Sequence, residues 1–293
     1  MKYRQNCYEN QVIRGAAFLI FQHLFLYSHR MITRPHITQS RLKLFQKLTQ
    51  KKYRNEEKKF LIEGVHLVDE VLNSDWDIEC LLICSSVLKD TAENIGRRAK
   101  NRGVEICELS ERELNKLSDT VTSQGIVGVV AQPNAGPNDF WKKLPKKSLI
   151  VAMDNISDPG NTGTILRTSD WFGAYGVVMS NDTAEVFNPK VLRASMGAIF
   201  HLSLLQDVDL EPVLEEATRN GFSIIATALQ NGISLSSFSF PERSLVIFGN
   251  ESSGVSHKIR SLSDTIITIP KFGKAESLNV GVACGVILGS ARL

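Results

Sequence analysis

The feature that most restricts the fold is a set of continuous Val/Ile/Leu-rich runs near 148–154, 175–180, 222–229, 244–250 and 265–270, with helix-like segments between them. A strand with one wet face alternates apolar and polar residues. Runs that are apolar throughout are covered on both faces, and their alternation with helices implies crossover connections. The expected fold class is therefore α/β, with a parallel-sheet domain over 148–293. An earlier alternation runs from "FLIEGVHLVDEVLNSD" (60–75) through strands "IECLLIC", "VEICEL" and "GIVGVVAQP", with helices "LKDTAENIGRRAKNRG" and "ERELNKLSD" between them. It marks a smaller α/β domain over 41–132. Between the two, "PNAGPNDFWKKLPKK" (133–147) carries three prolines and four lysines and reads as a linker. A chain of 293 residues is long enough for both cores.

Residues 1–40 read as a leader or extension. The apolar run "GAAFLIFQHLFLY" (15–27) has 13 residues, short of the ~20 needed to span a bilayer. The "SHRM" that follows offers no small-residue cleavage site. An acid-poor, arginine-containing organellar transit peptide and a true start at Met31 both stay open. Without such targeting the expected location is the cytoplasm, with no membrane partner. The five cysteines (Cys7, Cys80, Cys84, Cys107, Cys284) form no CxxC pair, and no HExxH occurs. That pattern fits a reducing compartment and no metal. Cys80 and Cys84 share a strand face as packing residues.

Charge is unevenly spread. Residues 1–60 hold 13 Lys/Arg against 3 Asp/Glu, a surplus of +10 in a chain of net +3, so the remainder sums to −7. The run "RLKLFQKLTQKKYRNEEKK" (41–59) has eight basic and two acidic residues. A basic block on a mildly acidic body points to a polyanion such as nucleic acid, with a solvated basic helix face as the alternative.

Ligands of open parallel sheets sit beyond the carboxyl ends of the strands, where three loops are rich in glycine and polar residues: 155–163, 249–256 and 270–279. In the first, Asp158-Pro159-Gly160 is turn chemistry, and Asn161 is placed as the N-cap of a helix through "TGTILRTSDWFGA". Ile165, Ser169 and Phe172 line one side of that helix and Arg167 lies on another. In the second, "LVIFGNESSGVS" sets Gly249 and Gly254 at GxxxxG spacing, but Val255 stands where a phosphate loop needs lysine, and Glu251 would repel a triphosphate. No GxGxxG is present, which argues against a dinucleotide oxidoreductase. The loop suits a ligand approached closely by backbone and not polyanionic. In the third, Ser277 is placed as an N-cap, and Gly281 and Gly285 at GxxxG spacing allow close helix packing.

Taken in order, "DNISDPGNTGTILRTSDWFGA", "IFGNESSGVS" and "IPKFGKAESLNVGVACGVIL" resemble the three motifs of the SpoU (TrmH-type) class of the SPOUT superfamily. "NPKVLRASMGAIFHL" is similar to that class's intervening segment. The resemblance covers about 148–290, with a weaker likeness of 45–131 to an RNA substrate-binding domain. It implies S-adenosylmethionine-dependent methylation of an RNA ribose 2′-hydroxyl, a trefoil-knotted C-terminal domain and a homodimer. The final helix, ending at "GSARL", is shorter than is usual in that class. By position, Thr227, Gly249, Ile269, Leu278 and Asn279 match its cofactor contacts, and Asn161, Arg167, Glu251, Ser277 and Asn279 its polar active-site positions.

Guanidinium stays protonated and makes a poor base. Arg167 is therefore expected to stabilise the developing alkoxide or to clamp the adjacent phosphate. Arg41, Lys51, Lys52, Arg54 and Arg193 are the expected RNA contacts, with a salt-bridged surface arginine as the alternative for Arg193. The separate N-terminal domain favours rRNA. The alternatives are a tRNA ribose methyltransferase and a catalytically inactive RNA-binding protein of the same fold.

Overall fold

The computed structural model describes residues 34–88, 91–120, 122–134 and 136–292. The readings made of residues 1–30 and of Cys7 lie outside them.

Two sheets organise the body from His36 onward. The first contains β1 (Lys59–Glu63), β2 (Ile78–Ile83), β3 (Glu105–Glu108) and β4 (Ile126–Ala131) in the order β1-β4-β2-β3. β4 is antiparallel to both its neighbours, while β2 and β3 run parallel. The period-two alternation of β2 sorts its side chains. Cys80 and Leu82 join Phe45, Cys107, Val127 and Val129 on one face, and Leu81 and Ile83 join Phe60, Ile62 and Val68 on the other. Cys80 and Cys84 do share a buried cluster, as their spacing implies. Burial pushes the Cys80 thiol up to about 12.

The second sheet has seven strands: β5 (Ser148–Asp154), β6 (Gly176–Ser180), β7 (Ser203–Val208), β8 (Ser223–Thr227), β9 (Ile233–Ser234), β10 (Arg243–Gly249) and β11 (Thr265–Thr268). Their order is β7-β6-β5-β10-β8-β11-β9, and every pairing is parallel. Both faces are covered, which explains the unbroken apolar runs. Leu149, Val151 and Met153 of β5 face Ile165 and Leu166 of the helix Pro159–Trp171 and Ile287 and Leu288 of the helix Val280–Arg292. Ile150 and Ala152 face the opposite way, toward Leu214 and Ala217 of the helix Leu210–Arg219. β7 and β9 were not expected from the sequence, because "SLLQDV" is half polar and "IS" is two residues long.

The segment expected as a linker carries structure of its own. Pro137–Trp141 is a helical turn that buries Phe140 in the core of the second sheet. The two sheets also share one apolar cluster. Phe60 of β1 stacks on Phe187 at 4.4 Å, and Trp76 meets Phe200 edge-on at 5.3 Å. Polar contacts reinforce this seam. The His201 ring lies between two carboxylates, with Nε2 3.2 Å from Glu70 and Nδ1 3.1 Å from Asp170.

Arg54 belongs to the same seam, which corrects its assignment as an RNA contact. It is only 3% exposed, it pairs with Glu185 through both Nε and Nη2, and its Nη1 donates to the carbonyls of Leu48 and Thr49. Every donor of that guanidinium group faces inward.

Candidate active site

The carboxyl ends of β5, β10, β8 and β11 lie side by side, and the three loops singled out in the sequence leave from β5, β10 and β11. In the first, Asp158 rather than Asn161 is the N-cap of the helix Pro159–Trp171: its Oδ1 accepts the Asn161 N–H at 2.7 Å. Pro159 therefore occupies the first helical position, where its missing N–H costs nothing. Asn161 falls three residues into the helix with its side chain free to act elsewhere. Gly163 lets the helix Pro189–Ser195 come close, since a Cβ there would lie 2.4 Å from that of Ala194.

The second loop is clamped to the strands beneath it. Asp154, at the end of β5, is nearly buried and accepts the Ser256 N–H at 2.7 Å. Asn250 donates to the Asn155 carbonyl at 2.9 Å and accepts from the Ser252 N–H at 3.0 Å. Gly249 is required for close approach: a Cβ would sit 2.0 Å from the Val255 nitrogen and 2.1 Å from the Gly254 carbonyl carbon. Thr227 Oγ1 donates to the Ile247 carbonyl at 2.9 Å, tying β8 to β10 at the same rim.

In the third loop the helix Val280–Arg292 is capped by Asn279, not by Ser277. Asn279 Oδ1 accepts the N–H groups of Gly281 at 2.9 Å and Val282 at 3.3 Å. Ser277 lies exposed outside the cap. Gly281 packs this helix on the first-motif helix, where a Cβ would lie 2.7 Å from Thr164 Cγ2, whereas Gly285 faces open space. Only the first glycine of the GxxxG pair is a packing position.

These local requirements bring three distant residues into one chain of hydrogen bonds. Asn279 Nδ2 donates to Asn161 Oδ1 at 2.8 Å, and Asn161 Nδ2 donates to Glu251 Oε1 at 2.7 Å. The helix cap fixes which way the Asn279 amide points. Asn279 in turn fixes Asn161, which presents its donor to the carboxylate. Leu278 and Leu229 lie exposed at the same rim, and Ile269 is half-buried. Arg167 is exposed, about 9 Å along its helix from Asn161 at 1.5 Å per residue. Among the described residues neither Arg167 nor Ser277 bonds to that chain. Asp154, Asp158 and Asn250 were missed in the sequence, although Pro159 at a helix start is the signal that marks Asp158 as its cap.

Of the expected RNA contacts, Lys51 and Lys52 stay exposed, with Lys52 3.9 Å from Glu56 and, like Lys47, over the Tyr53 ring. Arg41 is held by Glu105 at 2.8 Å and Arg193 by Asp119 at 2.9 Å. Among the described residues no cluster of His, Cys, Asp and Glu is placed to hold a metal ion, and no helix is long and apolar enough to cross a membrane.

Comparison with known proteins gives this geometry its context. Residues 148–289 match the SpoU rRNA Methylase family, and residues 39–128 match the MRM3-like substrate binding domain. The chain is 34% identical over 252 residues to the 23S rRNA (guanosine(2553)-2′-O)-methyltransferase RlmP of Bacillus subtilis (strain 168), covering 86% of this chain and 96% of that one. The SpoU methyltransferase AviRb of Streptomyces viridochromogenes in complex with AdoMet superposes with a TM-score of 0.77 at 27% identity, over 87% of this chain and 97% of that one. An AdoMet-bound rRNA methyltransferase from Sinorhizobium meliloti superposes with a TM-score of 0.76 at 27% identity, over 88% and 96%.

Proposed function

The chain belongs to the SpoU rRNA methylase family, and from that premise we propose that it methylates a ribose 2′-hydroxyl of ribosomal RNA with S-adenosylmethionine as donor. The observation that carries the site is the Asn279–Asn161–Glu251 chain, which joins all three motifs at the sheet's rim. The donor set fits the cofactor. Gly249 lets the 249–256 loop fold back tightly on β10, Leu229 and Leu278 offer exposed apolar surface, and the Glu251 carboxylate suits a cation rather than a polyanion. In this reading Thr227, Gly249, Ile269, Leu278 and Asn279 hold the cofactor, largely through backbone.

S-adenosylmethionine supplies an electrophilic sulfonium methyl. The protein's task is to place the acceptor oxygen in line with it and to ease loss of the hydroxyl proton. Arg167 suits the second task as an electrostatic partner. It is exposed and its side chain makes no hydrogen bond or ion pair with another described residue, so its guanidinium donors are free to meet the developing alkoxide or the neighbouring phosphate. The proton leaves to water or to a phosphate oxygen, since guanidinium cannot take it. Asn161 and Glu251 hold the geometry of the loops, and Ser277 stands beside Asn279 as a further polar contact to the acceptor.

Residues 41–132 act in this reading as the substrate-binding domain and 148–293 as the methyltransferase domain, knotted as in its class. Lys51 and Lys52 attract the phosphate backbone. A homodimer is supported by the outward surface of the paired helices Pro159–Trp171 and Val280–Arg292, which carries Trp171 at 84% exposure with Val282 and Val286. The deciding experiment is to incubate the protein with labelled S-adenosylmethionine and ribosomal RNA lacking its modifications, then map ribose methylation. Label transferred to one 2′-hydroxyl supports the reading, and none passing to any ribosomal RNA defeats it.

A further inference from the structure

The loop from β11 to the last helix holds a side chain with no role in the site described. Phe272 is 97% exposed, the most exposed of the large apolar residues among those described. Single exposed apolar residues are common, but the setting of this one is specific. It follows Pro270-Lys271 and precedes Gly273 in the loop that also carries Ile269, Leu278 and Asn279. Lys271 and Lys274 flank it; both are exposed and neither forms an ion pair with another described residue. Glu276 is the loop's one opposing charge. A bare aromatic ring between free cations is the chemistry by which proteins hold single-stranded nucleic acid: the ring takes a base face and the cations take the phosphates beside it.

Resting on the function proposed above, we propose that Phe272 stacks on an unpaired base of the substrate RNA next to the methylated nucleotide, with Lys271 and Lys274 holding the flanking phosphates. Two other occupants fit less well. In the reading above the cofactor is held by main chain near Ile269, Leu278 and Asn279, and a ring left 97% exposed encloses none of it. A second copy meeting this loop across a two-fold axis would bring like charges together, whereas the exposed apolar residues Trp171, Val282 and Val286 suit that contact better.

The test uses the full chain saturated with S-adenosylmethionine and a single-stranded oligoribonucleotide containing 2-aminopurine, whose fluorescence is quenched on stacking. The wild type is expected to quench it. Phe272→Ala should weaken binding about tenfold and abolish the quench, equally at low and moderate salt. Phe272→Trp should restore both. Lys271→Gln and Lys274→Gln should instead flatten the salt dependence, since each removes a phosphate contact. The proposal is overturned if the wild type does not quench or if Phe272→Ala binds as the wild type does. It is also overturned if that variant loses S-adenosylmethionine affinity by calorimetry, which assigns the ring to the cofactor, or sediments as a smaller species, which assigns it to a subunit contact. Failure of the parent reading is seen separately, as absence of label transfer by the wild type.

Discussion

Arg167 and Arg54 show how one residue type takes opposite roles according to what surrounds it. Arg54 is buried and its donors are satisfied within the protein, while Arg167 is exposed without a partner among the described residues. Arg167→Ala is therefore expected to bind S-adenosylmethionine nearly as the wild type does while turnover falls by ~10²–10³. Arg167→Lys should recover little, because a point charge does not reproduce the planar fork. Calorimetry paired with single-turnover kinetics separates these outcomes, and unchanged turnover in Arg167→Ala removes the residue from the chemistry. The Asn161–Glu251 bond makes a second expectation. Asn161→Ala and Glu251→Ala should each weaken cofactor binding or turnover, and the double variant should be less impaired than the product of the two. The coupling should be roughly 0.5–3 kcal/mol. Strict additivity would mean the hydrogen bond has no functional weight. At this scale the motif resemblance picked out Asn161, Glu251 and Asn279, but the hydrogen bonds that join them appear only in the fold, and the cap read at Asn161 falls to Asp158. It was silent on Arg54, because nothing in a basic run marks which member finds Glu185, 131 positions away.

At the level of elements, the strands of the large sheet were readable because burial on both faces removes polar residues from the run. β7 and β9 escaped because an edge strand need not be apolar. The caps were misread for a related reason. Asn161 and Ser277 are good capping types, yet Asp158 and Asn279 stand where the backbone turns. Only the order Asp-Pro-Gly-Asn, with proline at the first helical position, distinguishes the alternatives. The close approach at Gly249 is a stringent case. Gly249→Ala must displace the Gly254–Val255 peptide, so cofactor affinity should fall more than tenfold, with a stability loss of about 1–3 kcal/mol in urea unfolding. Normal affinity in that variant would mean the loop does not line the pocket.

The helical turn Glu111–Leu114 gives an acid-dependent expectation. Hydrogen bonds from the Ser110 backbone and hydroxyl, with His36 beside them, lower the Glu113 carboxyl to about 2. A depressed carboxylate stabilises the fold above its unfolded value and loses that contribution as pH falls toward the folded one. Glu113→Gln should thus be less stable than the wild type near neutrality, with the gap narrowing between about pH 4.5 and 2. Thermal melts across that range decide it, and a gap independent of pH would show that ionisation is not what the cap uses.

For the whole molecule, two alternations of strand and helix correctly announced two sheets, but not that their cores merge. Phe60, Trp76, Phe187 and Phe200 sit in unremarkable apolar contexts, and only folding reveals that they meet. The exposed apolar surface on the paired C-terminal helices makes the expectation for assembly. The wild type should sediment as a dimer, and Val286→Glu should shift it toward monomer with its far-ultraviolet spectrum unchanged. A wild-type monomer at micromolar concentration would refute the dimer.

The strand order also has a consequence for biogenesis. β10 lies between β5 and β8, and its register sets Arg243 against Ser148, far earlier in the chain. β11 likewise enters between β8 and β9, both made before it. While the ribosome is still extending the chain, β5 and β8 therefore wait with open edges that only later strands can occupy, and such edges invite pairing with the wrong partner. Nonlocal pairing of this kind is slow to form. The nascent protein thus passes through a vulnerable interval that ends only after residue 268 has emerged, and its yield in cells should depend more on chaperone supply than its final stability would suggest.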